Sequence, residues 1–169
     1  PGIVLVVSKG PDSGRTFAPR NNGLGDHYVR ALAFDPDDPA ILYAGTADGA
    51  YKTSNSGASW TPTALAAGDV TDLVTDNEGV AKRIWVTVSG QGVAYSSDGG
   101  TSFQVFSAGL ASLEVTSIDL EDIGVAKRIW VTMAGGDGIA YSDDLGQTWQ
   151  GPWNVTPPSR RSIPVKLLM

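Results

Sequence analysis

The chain has 169 residues, 41% hydrophobic and 18% charged, with a net charge of -6, the balance of a globular protein with a core rather than of a disordered one. It contains no cysteine, which excludes disulfides, thiolate metal sites and cysteine nucleophiles. Its basic residues recur as isolated pairs (Lys82-Arg83, Lys127-Arg128, Arg160-Arg161) and no apolar run reaches membrane length, so neither nucleic acid nor a helical membrane span is expected.

In chain order, the sequence opens on Pro1 with no initiator Met and no charged-then-apolar leader, as expected of a start that has been processed or truncated. A leading piece, residues 1–28, holds two strand-like runs between Ile3 and Phe17. Three longer units follow, residues 29–69, 70–114 and 115–161, and a trailing strand-like run at 162–169. In the first long unit strands are expected at 29–34, 41–46, 50–53 and 58–61. In the second they are expected at 70–75, 84–88, 93–96 and 101–106, and in the third at 115–120, 129–133, 139–142 and 147–150. These runs are rich in Val, Ile, Thr and aromatics and bounded by Gly, Asp and Asn, which is how short strands read. Asp48-Gly49 and Asp137-Gly138 are tight-turn signals for the middle hairpins.

Two repeats run through these units. The first is Ser-x-Asp-x-Gly-x-Thr-aromatic, seen as Ser96-Ser97-Asp98-Gly99-Gly100-Thr101-Ser102-Phe103 and as Ser142-Asp143-Asp144-Leu145-Gly146-Gln147-Thr148-Trp149. Thr53-Ser54-Asn55-Ser56-Gly57-Ala58-Ser59-Trp60 is a close variant, and Asp12-Ser13-Gly14-Arg15-Thr16-Phe17 a looser one. The closing aromatics are spaced by 43, 43 and 46 residues. The second repeat is Gly79-Val80-Ala81-Lys82-Arg83-Ile84-Trp85-Val86-Thr87, which returns almost verbatim from Gly124 to Thr132, 45 positions on. Four strands every 40 to 50 residues predict an all-β fold, a β-propeller of four-stranded antiparallel blades. Three whole units and two partial ones make an incomplete propeller or a segment of a larger one the expectation. Pro164 lies inside the strand that would close a ring within this chain, and proline suits a central strand poorly. An open arc, or a ring completed by other chains, is therefore expected over a closed four-bladed monomer.

The stretch from Val29 to Trp60, with its Asp35-Pro36-Asp37-Asp38-Pro39 run followed by Tyr43-Ala44-Gly45-Thr46, resembles the BNR/Asp-box repeat superfamily. That superfamily includes sialidases, xyloglucanase-type glycoside hydrolases, sortilin-type receptor ectodomains and photosystem assembly factors. The resemblance implies that each box is a hairpin staple on the outer part of its blade, away from the ligand face. It assigns structural roles to Asp12, Gly14 and Phe17, to Asn55, Gly57 and Trp60, to Asp98, Gly100 and Phe103, and to Asp144, Gly146 and Trp149. The residue chemistry agrees. A short Asp or Asn accepts N–H bonds within its own turn, glycine supplies the backbone conformation other residues resist, and the aromatic packs.

The chemistry of an enzyme is harder to find. Sialidases need an arginine triad and an Arg-Ile-Pro opening, and Arg161-Ser162-Ile163-Pro164 is a near miss at the wrong end of the chain. A xyloglucanase-like mechanism needs two carboxylates across a cleft. They would come from Asp35, Asp37, Asp38, Asp72, Asp76, Asp119, Glu121 and Asp122, most of which sit in turn contexts. No catalytic residue, metal ligand or cofactor is nominated. Candidate ligand contacts are His27 and Tyr28, in a connection entering an innermost strand, and Trp153, an aromatic outside the box register in a Pro-rich stretch. The expected function is non-catalytic binding or scaffolding in an extracellular or cell-envelope protein, with a polysaccharide or a protein as partner. The alternatives are a glycoside hydrolase fragment, xyloglucanase-like more than sialidase-like, and a structural surface or filament subunit that self-associates through open blade edges.

Overall fold

Strands of this length cannot bury an apolar face alone, so they must pair and their sheets must stack. The computed structural model describes residues 18–26, 28–78, 81–124 and 126–153. Among them, twelve strands form three four-stranded antiparallel sheets, each with its strands in chain order. The first sheet holds β1 (Val29–Phe34), β2 (Leu42–Thr46), β3 (Gly49–Thr53) and β4 (Thr61–Pro62). The second holds β5 (Val70–Glu78), β6 (Ala81–Val88), β7 (Gly92–Ser96) and β8 (Gln104–Val105). The third holds β9 (Val115–Asp122), β10 (Lys127–Met133), β11 (Ile139–Ser142) and β12 (Gln150–Trp153), with a 3-10 turn at Ala134–Gly136 between β10 and β11.

The outer strands correct the sequence expectation. They begin at Thr61, Gln104 and Gln150, after the closing aromatic of each repeat instead of within the repeat. The repeated residues are held in a side-chain-bonded turn, and a backbone committed to that turn is not free to join the ladder. The leading piece before residue 18, the run after residue 153 and their proposed pairing lie outside the described residues.

Alternation along each strand gives every sheet two faces. The face toward the preceding sheet is called leading here, and the face toward the following sheet trailing. Val70, Leu73, Ile84, Val86 and Val88, on the leading face of the second sheet, cluster with Tyr43 and Ala50 of the first. Val115, Ile118, Ile129, Val131 and Met133, on the leading face of the third, cluster with Trp85 and Val93 of the second. A third cluster, Leu24, Leu42, Ala44, Tyr51 and Trp60, lies on the leading face of the first sheet. Gly45 is required by closeness: a Cβ there would come within 2.3 Å of Val70 Cγ1.

Polar links run between the sheets at their inner edges. Thr71 Oγ1 donates to the Val115 carbonyl at 2.8 Å and Thr75 Oγ1 to the Phe34 carbonyl at 2.6 Å. Asp72 Oδ2 accepts from Ser117 Oγ at 2.8 Å and from the Ile118 N–H at 3.0 Å. One ion pair recurs in register: Lys82 of the second sheet reaches Asp35 of the first at 2.9 Å, and Lys127 of the third reaches Asp76 of the second at 3.8 Å. At the outer edge, Trp60 Nε1 donates to the Arg20 carbonyl at 2.8 Å and Trp149 Nε1 to the Phe106 carbonyl at 2.7 Å. The two closing tryptophans therefore fasten the first and third sheets to the chain that precedes them.

Candidate functional site

Each inner strand begins with a valine, Val29, Val70 or Val115, and the residue before it is Tyr28, Asp69 or Glu114. These three stand at the same end of their sheets as the exits of β6 and β10. A hydrogen-bonded rim joins them. Arg30 pairs with Asp69 at 2.9 Å. The Ser89 N–H donates to the Asp69 carbonyl at 2.9 Å, and Ser89 Oγ donates to Glu114 Oε2 at 2.7 Å. The Ala134 N–H then donates to the Glu114 carbonyl at 2.8 Å. Tyr28 is 59% exposed, its N–H is bonded to Asp26 Oδ1 at 2.8 Å, and the Arg30 guanidinium lies 5.3 Å from its ring centroid. The rim thus offers an exposed aromatic ring beside a guanidinium, followed by carboxylates and a hydroxyl: groups suited to stacking and hydrogen bonding.

Of the residues nominated from sequence, Tyr28 stands on this rim and His27 lies outside the described residues. Trp153 ends β12, its backbone opposite Ile139, so it belongs to an outer strand and not to a loop; its side chain is outside the described residues. Arg30, Asp69, Ser89 and Glu114 escaped the sequence reading. Aligning the units on their inner-strand valines would have placed Asp69 and Glu114 beside Tyr28.

The repeated turns are built alike in all three sheets. Ser96 Oγ accepts from the N–H groups of Asp98 and Gly100 at 3.3 and 2.9 Å and donates to Asp98 Oδ1 at 2.8 Å. Ser142 does the same with Asp144 and Gly146, and Thr53 with Asn55 and Gly57. The acid or amide then accepts from the fourth residue on: the Ser102, Thr148 and Ser59 N–H groups lie 2.9, 2.8 and 2.9 Å away. Gly57, Gly100 and Gly146 all have positive φ, between 80° and 92°, so a Cβ there would be strained. Trp60 and Trp149 are buried and Phe103 is half-buried. The Ser102 hydroxyl and N–H, with Ser96 and Thr101, hold the Asp98 carboxyl down at about 2. At Asp144, burial pushes the carboxyl up, but the bonds from Thr148 and Ser142 outweigh it and the net shift is downward. These carboxylates are spent on the turn.

Asp98→Ala and Asp144→Ala are accordingly expected to destabilise by about 1 kcal/mol each, the net worth of turn hydrogen bonds, and to leave ligand affinity of the folded protein unchanged. Thermal melts with parallel binding titrations check this. Because the folded pKa of Asp98 is lowered, its contribution is complete above the ordinary Asp value of about 4 and fades as pH falls toward about 2. The Asp98→Ala variant should lose that part of the acid dependence.

The carboxylates weighed as a catalytic pair are also engaged. Asp35 accepts from the N–H groups of Asp37 and Asp38, from Asn77 and from Lys82. Burial pushes its carboxyl up, yet Lys82 and these donors bring it below the usual range. Asp76 pairs with Arg83. Glu121 accepts from Trp130 Nε1 at 2.8 Å. The Gly124 N–H, then Lys127, lower Asp122. Among the described residues, no group of three or more His, Cys, Asp or Glu is placed to hold a metal ion.

No family model matches the sequence, and no curated protein matches it. Solved structures do. The Niastella koreensis GH74 enzyme superposes with a TM-score of 0.60 at 24% identity, over 82% of this chain and 24% of that one. The Xanthomonas campestris GH74 xyloglucanase gives 0.59 at 16% identity, over 80% and 25%. YCF48 bound to D1 peptide gives 0.56 at 19% identity, over 82% and 44%. All three are β-propellers. The chain folds as consecutive propeller blades. The described sheets are referred to as the first, second and third blades in chain order, and the chain spans about a quarter of the length of the two GH74 structures it matches.

Proposed function

We propose that this chain is part of a non-catalytic binding or scaffolding propeller of an extracellular or cell-envelope protein. Its ligand, a protein segment or a polysaccharide, lies along the rim of Tyr28, Arg30, Asp69, Ser89 and Glu114. The observation that carries this reading is a division of labour among the polar residues. The acids in the repeated turns and at the strand ends are tied to N–H groups, lysines and arginines, and Asp35 and Asp122 are held low. A glycosidase general acid needs the opposite shift. The rim residues Arg30, Asp69, Ser89 and Glu114 are linked to one another, and with the exposed Tyr28 ring they lie side by side across three blades. Asp-box turns on this reading are staples, as in the superfamily the sequence resembles. YCF48, a structure of the same fold, is bound to a peptide, which favours a protein segment as the first ligand to try.

The likeness to the GH74 enzymes favours one second reading, that the chain is a piece of a glycoside hydrolase whose acids lie on other blades. Calorimetric titration with xyloglucan oligosaccharides and with a peptide array separates the two. The binding reading expects saturable affinity that Tyr28→Ala and Arg30→Ala weaken at least about tenfold, a loss of about 1.4 kcal/mol, with the melting temperature preserved. Affinity indifferent to both substitutions would remove the rim from consideration. Xyloglucan cleavage by the same protein, losing its rate on substitution of a single carboxylate, would favour the enzyme.

A further inference from the structure

The two ends of the blades differ in charge. By register, Asp48 in the β2–β3 turn and Asp137 between β10 and β11 stand at the rim end, with the starts of β1 and β9. Asp26, Asp69 and Glu114 stand there too, just before the inner strands. The cation among these described residues is Arg30. The other described cations lie elsewhere. Lys82, Arg83, Lys127 and Arg128 are at the opposite end, in the first residues of β6 and β10. Lys52 donates to the Gly99 carbonyl in a repeated turn, and Arg20 is at the outer edge, its carbonyl bonded to Trp60.

At the opposite end charge is matched within the chain. Lys82 pairs with Asp35 and Asp37, Arg83 with Asp76, Lys127 with Asp122 and Arg128 with Asp143. Among the described rim acids, Asp69 alone has a cation beside it, Arg30. The donors to the others are neutral. Glu114, which is exposed, accepts from the Ser89 hydroxyl. Asp48 accepts from the hydroxyls of Thr46 and Tyr51, and Asp26 from the Tyr28 N–H. Such bonds orient a carboxylate and leave its charge in place, so the rim has a net negative field.

Exposed apolar side chains stand on the same rim. Tyr28, before the first inner strand, is 59% exposed, and Leu113, next to Glu114, is 44% exposed. A Cβ at Gly92 would come within 3.3 Å of Leu113 Cδ2. The leucine therefore lies against the connection between β6 and β7, which also holds Ser89. An aromatic ring and an aliphatic side chain beside uncompensated carboxylates are the makings of an anchor with a charge preference.

We infer that the rim takes a basic segment of a partner protein. A lysine or arginine of that segment meets Glu114 beside Ser89, and apolar side chains flanking it cover Tyr28 and Leu113. This rests on the rim being the binding face and adds the chemistry of what binds there. An acidic segment would bring its charge against carboxylates that no cation offsets, and a neutral glycan would leave their field unused. Arg30, held by Asp69 and set over the Tyr28 ring, positions those two groups.

The test uses the 169-residue chain and an array of short synthetic peptides. Each carries a central Lys-Arg, Asp-Glu or Ser-Ser pair between leucine and phenylalanine, with the remaining positions varied; xyloglucan oligosaccharides are the uncharged comparison. Binding should be confined to the Lys-Arg peptides. It should weaken between about 0.1 M and about 1 M salt, as the screening length falls from about 10 to about 3 Å. Glu114→Gln should lower that affinity about threefold, the worth of one exposed charge, and Glu114→Lys about tenfold or more. Asp38→Asn, at the opposite end, should leave it unchanged. Glu114 is exposed, so melting temperatures of the variants should match the wild type; if Glu114→Lys fails to fold, Glu114→Gln carries the test. Failure of the Lys-Arg peptides to bind overturns the inference. So does binding of Ser-Ser or Asp-Glu peptides, or of the oligosaccharides, that Tyr28→Ala weakens and Glu114→Lys does not, an outcome that keeps the rim as the binding face. Binding of Lys-Arg peptides indifferent to both Tyr28→Ala and Glu114→Lys overturns the inference and the rim together.

Discussion

Trp85→Ala is expected to destabilise the protein by about 3–5 kcal/mol, the range for removing a fully buried tryptophan, whereas Trp130→Ala should cost only about 1–2 kcal/mol. The two residues lie in near-identical sequence, Lys-Arg-Ile-Trp-Val-Thr in both blades. Strand propensity and hydrophobicity therefore cannot separate them. What separates them is the third blade, which covers Trp85 completely. Denaturant melts of the two variants read the difference, and equal losses would mean that the blades do not stack as described.

Asp35→Ala should destabilise by about 2–3 kcal/mol, because the change leaves several donors without their acceptor and the Lys82 ammonium without its closest carboxylate. Asp35 is 4% exposed and serves both its own turn and the neighbouring blade. Lys82 is part-exposed, so its share is the smaller one, and Lys82→Met should cost less. Since the Asp35 carboxyl is held low, its stabilisation is present above the ordinary carboxylate range and lost as pH falls below it. The gap between wild type and Asp35→Ala should therefore narrow in acid. A gap that widened in acid would show that Asp35 is protonated in the folded protein, as an acid catalyst would be.

The blades were legible because their information is local and repeated. Alternating Val, Ile and Thr marks strands, Asp48-Gly49 marks a hairpin, and near-verbatim copies 45 residues apart mark tandem units. The start of the outer strands was not legible. Ala58-Ser59-Trp60 and Thr101-Ser102-Phe103 read as strand by composition, and the side chains of Thr53 and Asn55, and of Ser96 and Asp98, bonding inside the turn, keep them out of the ladder. The rim was half legible. Tyr28 stood out as an aromatic in a loop, but Asp69 and Glu114 look like ordinary loop acids until stacking brings Arg30 and Ser89 to them. Contacts between blades are set by the placement of whole sheets, and no window of a dozen residues contains that.

The most direct measurement is hydrogen exchange at the Ile118 amide. β9 is an edge strand, paired only with β10 in its own sheet, and an edge amide would ordinarily exchange fast. Here the Ile118 N–H donates across the blade boundary to Asp72 Oδ2 at 3.0 Å. If the blades stack through their inner strands, Ile118 is protected like the amides of β10, and Asp72→Ala releases it while the β10 amides stay slow. Exchange of Ile118 at the rate of a free edge in the wild-type protein would contradict the stacked-blade architecture on which the rim depends.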